Sequence, residues 1–316
     1  MQKNAPPHSN TKSKLPETAP ISPGSTNRGL GASKPLAPGL YLIATPIGNL
    51  GDISQRALQT LAACDVVACE DSRATARLLQ HYGVRAPCIA YHEHSAPAVR
   101  EAILARLAGG QRVGLVSDAG TPLISDPGFK LVREAIAAGA HVSALPGPSA
   151  PLMALIISGL PSDRFFFQGF LPPKAAARRS LLASLGAIEA TLIFFESARR
   201  LPQCLEDMAQ MLGDRPAAIA RELTKLFEEV RRDALPALRD HYRMAGPPKG
   251  EVVIVVGPPS GAQAQPDQEA GLDKILHDVL ARCSLKEAVA KAAAATGLPR
   301  KQVYARALAL SGKMQQ

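Results

Sequence analysis

Residues 113–128 read VGLVSDAGTPLISDPG, a short apolar run followed by a loop that is unusually dense in Gly, Pro and Asp. Two further segments have the same form, LYLIATPIGNLGD at 40–52 and VSALPGPSA at 142–150. Open α/β sheets bind ligands at the carboxyl ends of their strands, and glycine lets the backbone approach a ligand closely. We therefore expect the three loops to converge at one edge of a sheet and to form a binding site there.

The segments around these loops alternate short β-branched runs with helical periodicity, which predicts right-handed crossovers and a mainly parallel sheet. A second series of the same kind follows the turn residues GLPSD at 159–163. The predicted fold class is therefore α/β. The predicted parts of the chain are a disordered basic extension at 1–37, a first lobe with the ligand loops at 38–160, a second lobe at 161–258, a linker at 259–270 and a basic helical tail at 271–316.

The pattern of the tail predicts two helices. Ser284 and Glu287 have the spacing of a capping box, the residues TGLP at 296–299 interrupt the helical pattern, and a second helix begins near Arg300 with Tyr304 on its apolar face. Two short helices around a glycine-containing turn resemble a helix-turn-helix. A small helical cap that packs on the second lobe is the alternative, and the sequence leaves both open.

The net charge of +9 is carried by the two ends of the chain. Residues 38–269 contain equal numbers of acidic and basic side chains. Basic ends on a neutral core are typical of a protein that anchors on a polyanion, although they also aid solubility. Because Trp is absent and aromatic residues make up 4% of the chain, we expect nucleic-acid contacts to depend on charge and shape.

The five cysteines show no C-x-x-C spacing, and the polar N-terminus has no apolar segment like that of a signal peptide. These features indicate reduced thiols and a cytoplasmic protein. No apolar run approaches the roughly 20 residues that span a bilayer, so we expect no membrane partner.

Eight segments follow one another along the chain: ATPIGNLGDIS at 44–54, CEDSR at 69–73, SDAGTPLISDPG at 117–128, LPGPSA at 145–150, SGLPSDRFFFQGFLP at 158–172, FFES at 194–197, ARELTK at 220–225 and KGEVV at 249–253. In this order they resemble the tetrapyrrole-methylase superfamily, and within it the branch that methylates small-subunit ribosomal RNA. The resemblance covers roughly residues 38–312. Ser72 stands where the family usually has Thr, which keeps the hydroxyl.

The resemblance implies a two-lobe class III methyltransferase fold with a small helical C-terminal tail, S-adenosylmethionine as cofactor between the lobes, and a homodimer. It implies 2′-O-methylation of a cytidine ribose in the decoding region of 16S ribosomal RNA, with that RNA or the small ribosomal subunit as partner. Thr121 stands where tetrapyrrole and diphthamide methylases commonly have Asp. The cofactor contacts carried over loop by loop are Pro46, Ala119, Gly120, Thr121, Ile124, Ser149, Ala150, Glu196 and Leu223.

The ribose 2′-hydroxyl is a weak nucleophile that must lose its proton, so a base within hydrogen-bond reach would assist the reaction. Two pairs of charged residues are candidates: Asp71 with Arg73, beside Glu70, and Glu222 with Lys225. In each pair the acid would take the proton and the cation would hold a phosphate. Helix capping at Asp71 and an ion-pair cluster between the lobes at Glu222 are the structural alternatives, and the sequence does not choose between them.

His92 and His94 would face the same way on a strand and could bind zinc together, but no third ligand has suitable spacing. Methyl transfer from a sulfonium needs no metal, so we expect no metal site. Four arginines are candidate phosphate contacts, with a solvated charged face as the alternative: Arg178, Arg179, Arg199 and Arg200.

Two other functions remain compatible with these residues. A methylase of a tetrapyrrole, such as a corrin or sirohaem precursor, would share the fold and take a small-molecule substrate. A ribosome-assembly factor without catalysis would bind the ribosome and transfer no methyl group. The basic tail argues against the first alternative, and the intact cofactor loops argue against the second.

Overall fold

The computed structural model describes residues 36–92, 95–259, 265–280, 283–296 and 300–313. His94 lies outside the described residues, and so does the predicted extension except for its last two positions. In the described part, no helix combines the length and the apolar character that crossing a membrane requires. All five cysteines are free thiols.

The first lobe is a parallel five-stranded sheet flanked by helices, with the strand order β3-β2-β4-β1-β5. All four residues of the second strand are buried, as expected where helices cover both faces of a parallel sheet. The elements of this lobe are β1 (Gly39–Ile43), α1 (Gln55–Ala63), β2 (Val66–Cys69), α2 (Ser72–His81), β3 (Cys88–Ala90), α3 (Pro97–Ala108), β4 (Arg112–Val116), α4 (Phe129–Ala137), β5 (Val142–Leu145) and α5 (Ala150–Ser158), with a 3-10 helix at Leu50–Asp52.

The second lobe is a mixed five-stranded sheet with the order β6-β7-β10-β8-β9. Strands β6 and β7 are parallel, and the other neighbouring pairs are antiparallel. Its elements are β6 (Phe165–Phe170), α6 (Ala175–Leu185), β7 (Thr191–Ser197), α7 (Leu201–Leu212), β8 (Pro216–Arg221), β9 (Glu229–Ala234), α8 (Leu235–Ala245) and β10 (Glu251–Val256), with a 3-10 helix at Ala198–Arg200. The predicted two-lobe α/β class is confirmed.

Helix α5 joins the two lobes. It follows the last strand of the first sheet, but Ala154 and Leu155 pack with Ile193, Ala218 and Val255 of the second sheet. The boundary predicted after residue 160 lies at the end of this helix. The apolar core of the second lobe therefore begins with a helix that the sequence series assigns to the first lobe.

The tail contains three helices, α9 (Gln265–Leu280), α10 (Leu285–Thr296) and α11 (Arg300–Lys313), which share an apolar core. The Glu287 half of the capping box is present, because Glu287 Oε2 accepts the backbone N–H of Ser284 at 3.2 Å, and it also accepts the Ser284 hydroxyl at 2.9 Å. The linker predicted at 259–270 is wrong from Gln265 onward, where the chain is helical. Pro266 is the second residue of α9, a position at which a helix tolerates proline.

Three side chains differ from what the sequence predicts about exposure or contacts. Tyr304 was expected on the apolar face of its helix, but it is 50% exposed. Arg178 was expected at the surface as a phosphate contact, but it is buried, and its Nε donates to Asp207 Oδ2 at 2.6 Å. Arg200 is also used internally, because its Nη2 donates to the carbonyl oxygen of Leu171 at 2.9 Å.

Candidate functional site

The three Gly- and Pro-rich loops follow three adjacent strands, β4, β1 and β5, and hydrogen bonds connect them. The backbone N–H groups of Thr45 and Gly120 each donate to the carbonyl oxygen of the other, at 2.9 and 3.0 Å. Thr121 Oγ1 donates to the carbonyl oxygen of Pro148 at 2.9 Å. The loops therefore form one connected wall at the carboxyl edge of the first sheet.

Two glycines allow the close approach of these loops. Gly120 has a φ of +84°, which glycine adopts without strain. At Gly147 a Cβ atom would lie 2.8 Å from the Cβ of Ala44, closer than two carbon atoms normally approach. Side chains at these positions would separate the first loop from the second and third.

The opposite wall comes from the second lobe, where the ends of β7 and β8 meet the start of β10. Val252 pairs with both Glu196 and Arg221 in the sheet. The turn after β8 carries Leu223 beside this edge, and Gly250 precedes β10. Residues that are far apart in the sequence thus share one small surface.

A cavity of about 430 Å³ lies between the two walls. This volume lies within the range of small-molecule sites, roughly 300–1,000 Å³. Of the nine predicted cofactor contacts, Pro46 does not line the cavity, and its neighbour Ile47 does so instead. The eight that line it are Ala119, Gly120, Thr121, Ile124, Ser149, Ala150, Glu196 and Leu223.

Some residues that line the cavity were not predicted from the sequence. Phe170 and Phe195 contribute aromatic surface, with ring centroids 5.5 Å apart, and Val252 and Val253 contribute the start of β10. Asp126 adds a carboxylate from the second loop. The Gly, Pro and Asp density of that loop marked the segment but not which of its side chains faces the cavity.

The backbone of both walls is strained. In the described part of the chain, four non-glycine residues have a positive φ: Leu123 and Ser125 in one loop, and Glu222 and Thr224 in the other. They flank the cavity residues Ile124, Asp126 and Leu223. Such conformations cost of order 1–3 kcal/mol each and cluster at sites where function requires a particular backbone shape.

Glu196 places a buried carboxylate at the cavity. The side chain is buried, and its Oε1 accepts the backbone N–H of Ser197 at 2.8 Å. Arg200 Nη2 lies 3.3 Å from Oε2, but it donates to backbone carbonyl groups, and Oε2 has no hydrogen-bond partner within the described residues. An ion-paired carboxylate oxygen that accepts no hydrogen bond can still accept one, so a ligand donor at this point would be favourable.

Glu222 and Lys225 form an ion pair beside the cavity. Lys225 Nζ lies 2.8 Å from Glu222 Oε1 and 2.9 Å from Glu251 Oε2. The hydrogen bond from Lys225, together with one from the backbone N–H of Glu251, holds the pKa of Glu222 below its ordinary value. The lysine stem packs on Gly48, where a Cβ atom would meet it at 2.5 Å. The cluster thus connects the second lobe to the first loop.

Asp71 and Arg73 are not among the residues that line the cavity. Asp71 is the N-cap of α2, and its Oδ1 accepts the backbone N–H groups of Arg73 and Ala74 at 2.8 and 3.3 Å. These hydrogen bonds lower the pKa of Asp71. The Arg73 side chain is exposed. The catalytic roles predicted for the two charged pairs stay predictions, and the structure places the pairs in separate positions.

The electrostatic environment of Asp126 raises its pKa, whereas that of Asp71 lowers it. Burial raises the pKa of Asp126 to about 6, and the carboxylates of Glu70 and Asp118 add to the effect, while a hydrogen bond with Ser117 opposes it. Among the described residues, no group of three or more His, Cys, Asp or Glu side chains has the arrangement of a metal site.

Comparisons with known proteins agree on the family. A family model described as Tetrapyrrole (Corrin/Porphyrin) Methylases matches residues 39–239, and one described as the RsmI C-terminal HTH domain matches residues 265–311. The chain is 54% identical over 279 residues to the "Ribosomal RNA small subunit methyltransferase I" of Mesorhizobium japonicum, covering 88% of this chain and 94% of the relative. It is 45% identical to the protein of that name from Escherichia coli O157:H7, covering 86% and 96%.

Solved structures share the fold at low sequence identity. Diphthine synthase matches with a TM-score of 0.54 and 16% identity, covering 69% of this chain and 89% of that chain. The methyltransferase CobJ matches with a TM-score of 0.52 and 18% identity, covering 70% and 94%. Both matches leave out about a third of this chain.

Proposed function

We propose a function that starts from the family to which this chain belongs, the tetrapyrrole (corrin/porphyrin) methylases. The chain is the S-adenosylmethionine-dependent enzyme that methylates the 2′-oxygen of a cytidine ribose in 16S ribosomal RNA. The observation that carries the proposal is the identity of 45–54% to relatives named for ribosomal RNA methylation. These relatives favour RNA over a tetrapyrrole as substrate, and an enzyme over a binding factor. We propose the cytoplasm as the location of this reaction.

The cavity fits S-adenosylmethionine as its ligand. Glu196 Oε2 provides a buried acceptor for a donor group of the ligand, and Ala119, Gly120 and Ser149 bring backbone from two loops to the same cavity. S-adenosylmethionine supplies a methyl group on a positively charged sulfur, which is already an activated electrophile. The residues of this chain then have to hold the ligand, orient it and exclude water.

The apolar parts of the cavity serve the exclusion of water. Phe195, Leu223 and Val253 contribute apolar side chains to its lining. An apolar surround strengthens every electrostatic interaction inside it, because the local dielectric constant falls. The orientation of the ligand depends on the two strained loops, which fix the positions of Ile124 and Leu223.

The tail supports the proposed RNA substrate. Arg300 and Tyr304 are both exposed on α11, and residues four apart in a helix share one face. Val303 and Ala307 are buried in the shared core of the three helices. Exposed cations bind phosphates, and an exposed aromatic ring can stack on an unpaired base. We propose this face as a contact with the small ribosomal subunit.

Replacing Arg300 with Gln and Tyr304 with Ala should weaken binding to small ribosomal subunits by about tenfold. The slope of log affinity against log salt should fall by about one, because one phosphate contact is lost. Arg106→Gln on α3, which also removes an exposed arginine, serves as the matched control. Affinity titrations at several salt concentrations that show no change in the double variant would contradict the proposed contact.

We also propose that the enzyme acts as a homodimer. Two exposed aromatic side chains on one face of the edge strand β6 support this: Phe165 and Phe170 are 46% and 57% exposed. Large exposed apolar patches commonly mark interfaces. Light scattering on the purified chain should give twice the monomer mass of 33.2 kDa, and a monomer mass at working concentration would refute the dimer.

An assay of methyl transfer to 16S ribosomal RNA tests the proposed function. Purified chain, radiolabelled S-adenosylmethionine and small subunits from cells that lack this protein are incubated together, and naked 16S RNA is assayed in parallel. The expected product is a ribose 2′-O-methyl group, detected because it blocks alkaline cleavage at the neighbouring phosphodiester. Label on a nucleobase, or transfer only to a tetrapyrrole, would contradict the proposal.

A further inference from the structure

Three carboxylates line the cavity, and they differ in their partners. Glu251 pairs with Lys225 at 2.9 Å, and its side chain is 78% exposed. Glu196 is buried, accepts a backbone N–H group and lies 3.3 Å from the Arg200 guanidinium. Asp126 is within salt-bridge distance of no cation in the described part of the chain.

The surroundings of Asp126 contain acceptors and negative charge. Asp118 follows β4 in the same loop as Asp126, and Glu70 lies at the end of β2 beside it. The Ser117 hydroxyl donates to the carbonyl oxygen of Gly120 at 3.1 Å, within the same loop. The strained residue Ser125 and the following Pro127 hold the backbone on either side. The carboxyl group is therefore held at the cavity without a cation to neutralise it.

We propose that Asp126 is the general base that takes the proton from the ribose 2′-hydroxyl during methyl transfer, an inference that rests on the proposed function. The 2′-oxygen forms a bond to the methyl carbon while its proton passes to an Asp126 carboxylate oxygen. The bond between that carbon and sulfur breaks, and its electron pair stays on sulfur. One cation and one carboxylate are consumed, and a neutral thioether and a neutral carboxylic acid are formed.

A general base whose pKa is near neutral pH suits removal of the 2′-hydroxyl proton better than the other two candidate acids, Asp71 and Glu222. General bases are most effective when their pKa lies close to the working pH, and burial raises the pKa of Asp126 to about 6. Hydrogen-bond donors lower the pKa of Asp71 and of Glu222, which weakens each as a base. Neither of these two acids lines the cavity.

The test measures single-turnover methyl transfer to small subunits as a function of pH. In the wild type the rate should rise with pH and level off above an inflection near 6, because the base must be ionised. Asp126→Asn should lower the plateau by about 100-fold or more and remove the inflection. Asp126→Glu keeps a carboxylate and should recover part of the rate.

A substitution at the nearby Asp118 changes the pH of the inflection, which would not change if Asp126 had only a structural role. Asp118→Asn keeps the acceptor for the Asp71 backbone N–H group but removes a negative charge near Asp126. Its plateau should match the wild type within about threefold, and its inflection should move to lower pH. Glu70 and Ser117 also face Asp126 and are unchanged in this variant, so the shift isolates one charge.

Binding of S-adenosylhomocysteine, measured by calorimetry, separates chemistry from folding. Asp126→Asn should bind it within about threefold of the wild type, because this ligand carries no charge on sulfur. If the wild type is active and Asp126→Asn is equally active, the proposed role of Asp126 is overturned and the proposed function stands. A wild type that transfers no methyl group to the 2′-oxygen overturns the proposed function, and the role of Asp126 with it.

Discussion

The Ala150→Leu variant is expected to lose at least about 100-fold in affinity for S-adenosylhomocysteine, or about 2.7 kcal/mol of binding free energy. Ala150 is the first residue of α5, and its side chain lines the proposed cofactor cavity. A leucine side chain at this position would occupy space that the ligand needs. The helix itself tolerates the change, because leucine has a high helix propensity.

Calorimetry and thermal unfolding together check this expectation. The matched control is Ala105→Leu, the same change at an exposed position in the middle of α3. Both variants should unfold close to the wild-type temperature, and only Ala150→Leu should lose binding. Wild-type affinity in Ala150→Leu would mean that the ligand binds outside the cavity between the two walls.

The Asp207→Ala variant is expected to lose about 3–5 kcal/mol of unfolding free energy. Arg178 is 1% exposed, and its Nε donates to Asp207 Oδ2 at 2.6 Å. Its Nη1 also reaches the carbonyl oxygens of Pro172 and Pro173, at 3.3 and 3.2 Å. Without the carboxylate, the guanidinium would remain buried as an uncompensated charge, which costs far more than losing a surface ion pair.

Denaturant unfolding measures this loss as a lower midpoint at an unchanged slope. Glu206→Ala is the control, because the neighbouring acid is exposed and lies 4.0 Å from Arg239. It should change the free energy of unfolding by less than about 0.5 kcal/mol. A loss below about 1 kcal/mol in Asp207→Ala would show that the buried pair contributes little net stability.

The sequence predicted most regular elements because their patterns are strong. The runs Val66–Cys69, Phe165–Phe170 and Glu251–Val256 are strands in the structure, as their β-branched and aromatic residues indicate. Strand β9 was missed, because EVRRDA at 229–234 is mostly charged and exposed at the sheet edge. Its place depends on pairing with β8, which local composition does not encode.

The site was predicted to the level of loops, and single side chains needed the structure. Pro46 and Ile47 are adjacent, and the direction of the backbone between Thr45 and Gly48 decides which of them faces the cavity. Asp126 looks like a turn residue in the sequence, and its place in the cavity wall is visible only in the folded chain. Arg178 was read as a surface cation because its partner Asp207 is 29 positions away.

Four residues with unfavourable backbone angles, Leu123, Ser125, Glu222 and Thr224, stand at the walls of one cavity. Glycine at Ser125 or Thr224 would relieve about 1–3 kcal/mol of strain against about 0.5–1 kcal/mol of added unfolded-state entropy, so the free protein would resist heat better while its walls relaxed away from the shape that the ligand fits. Thermal tolerance and catalytic fitness therefore make opposite demands at these two positions. A lineage that adapts to hot environments would have to find its added stability elsewhere in the molecule.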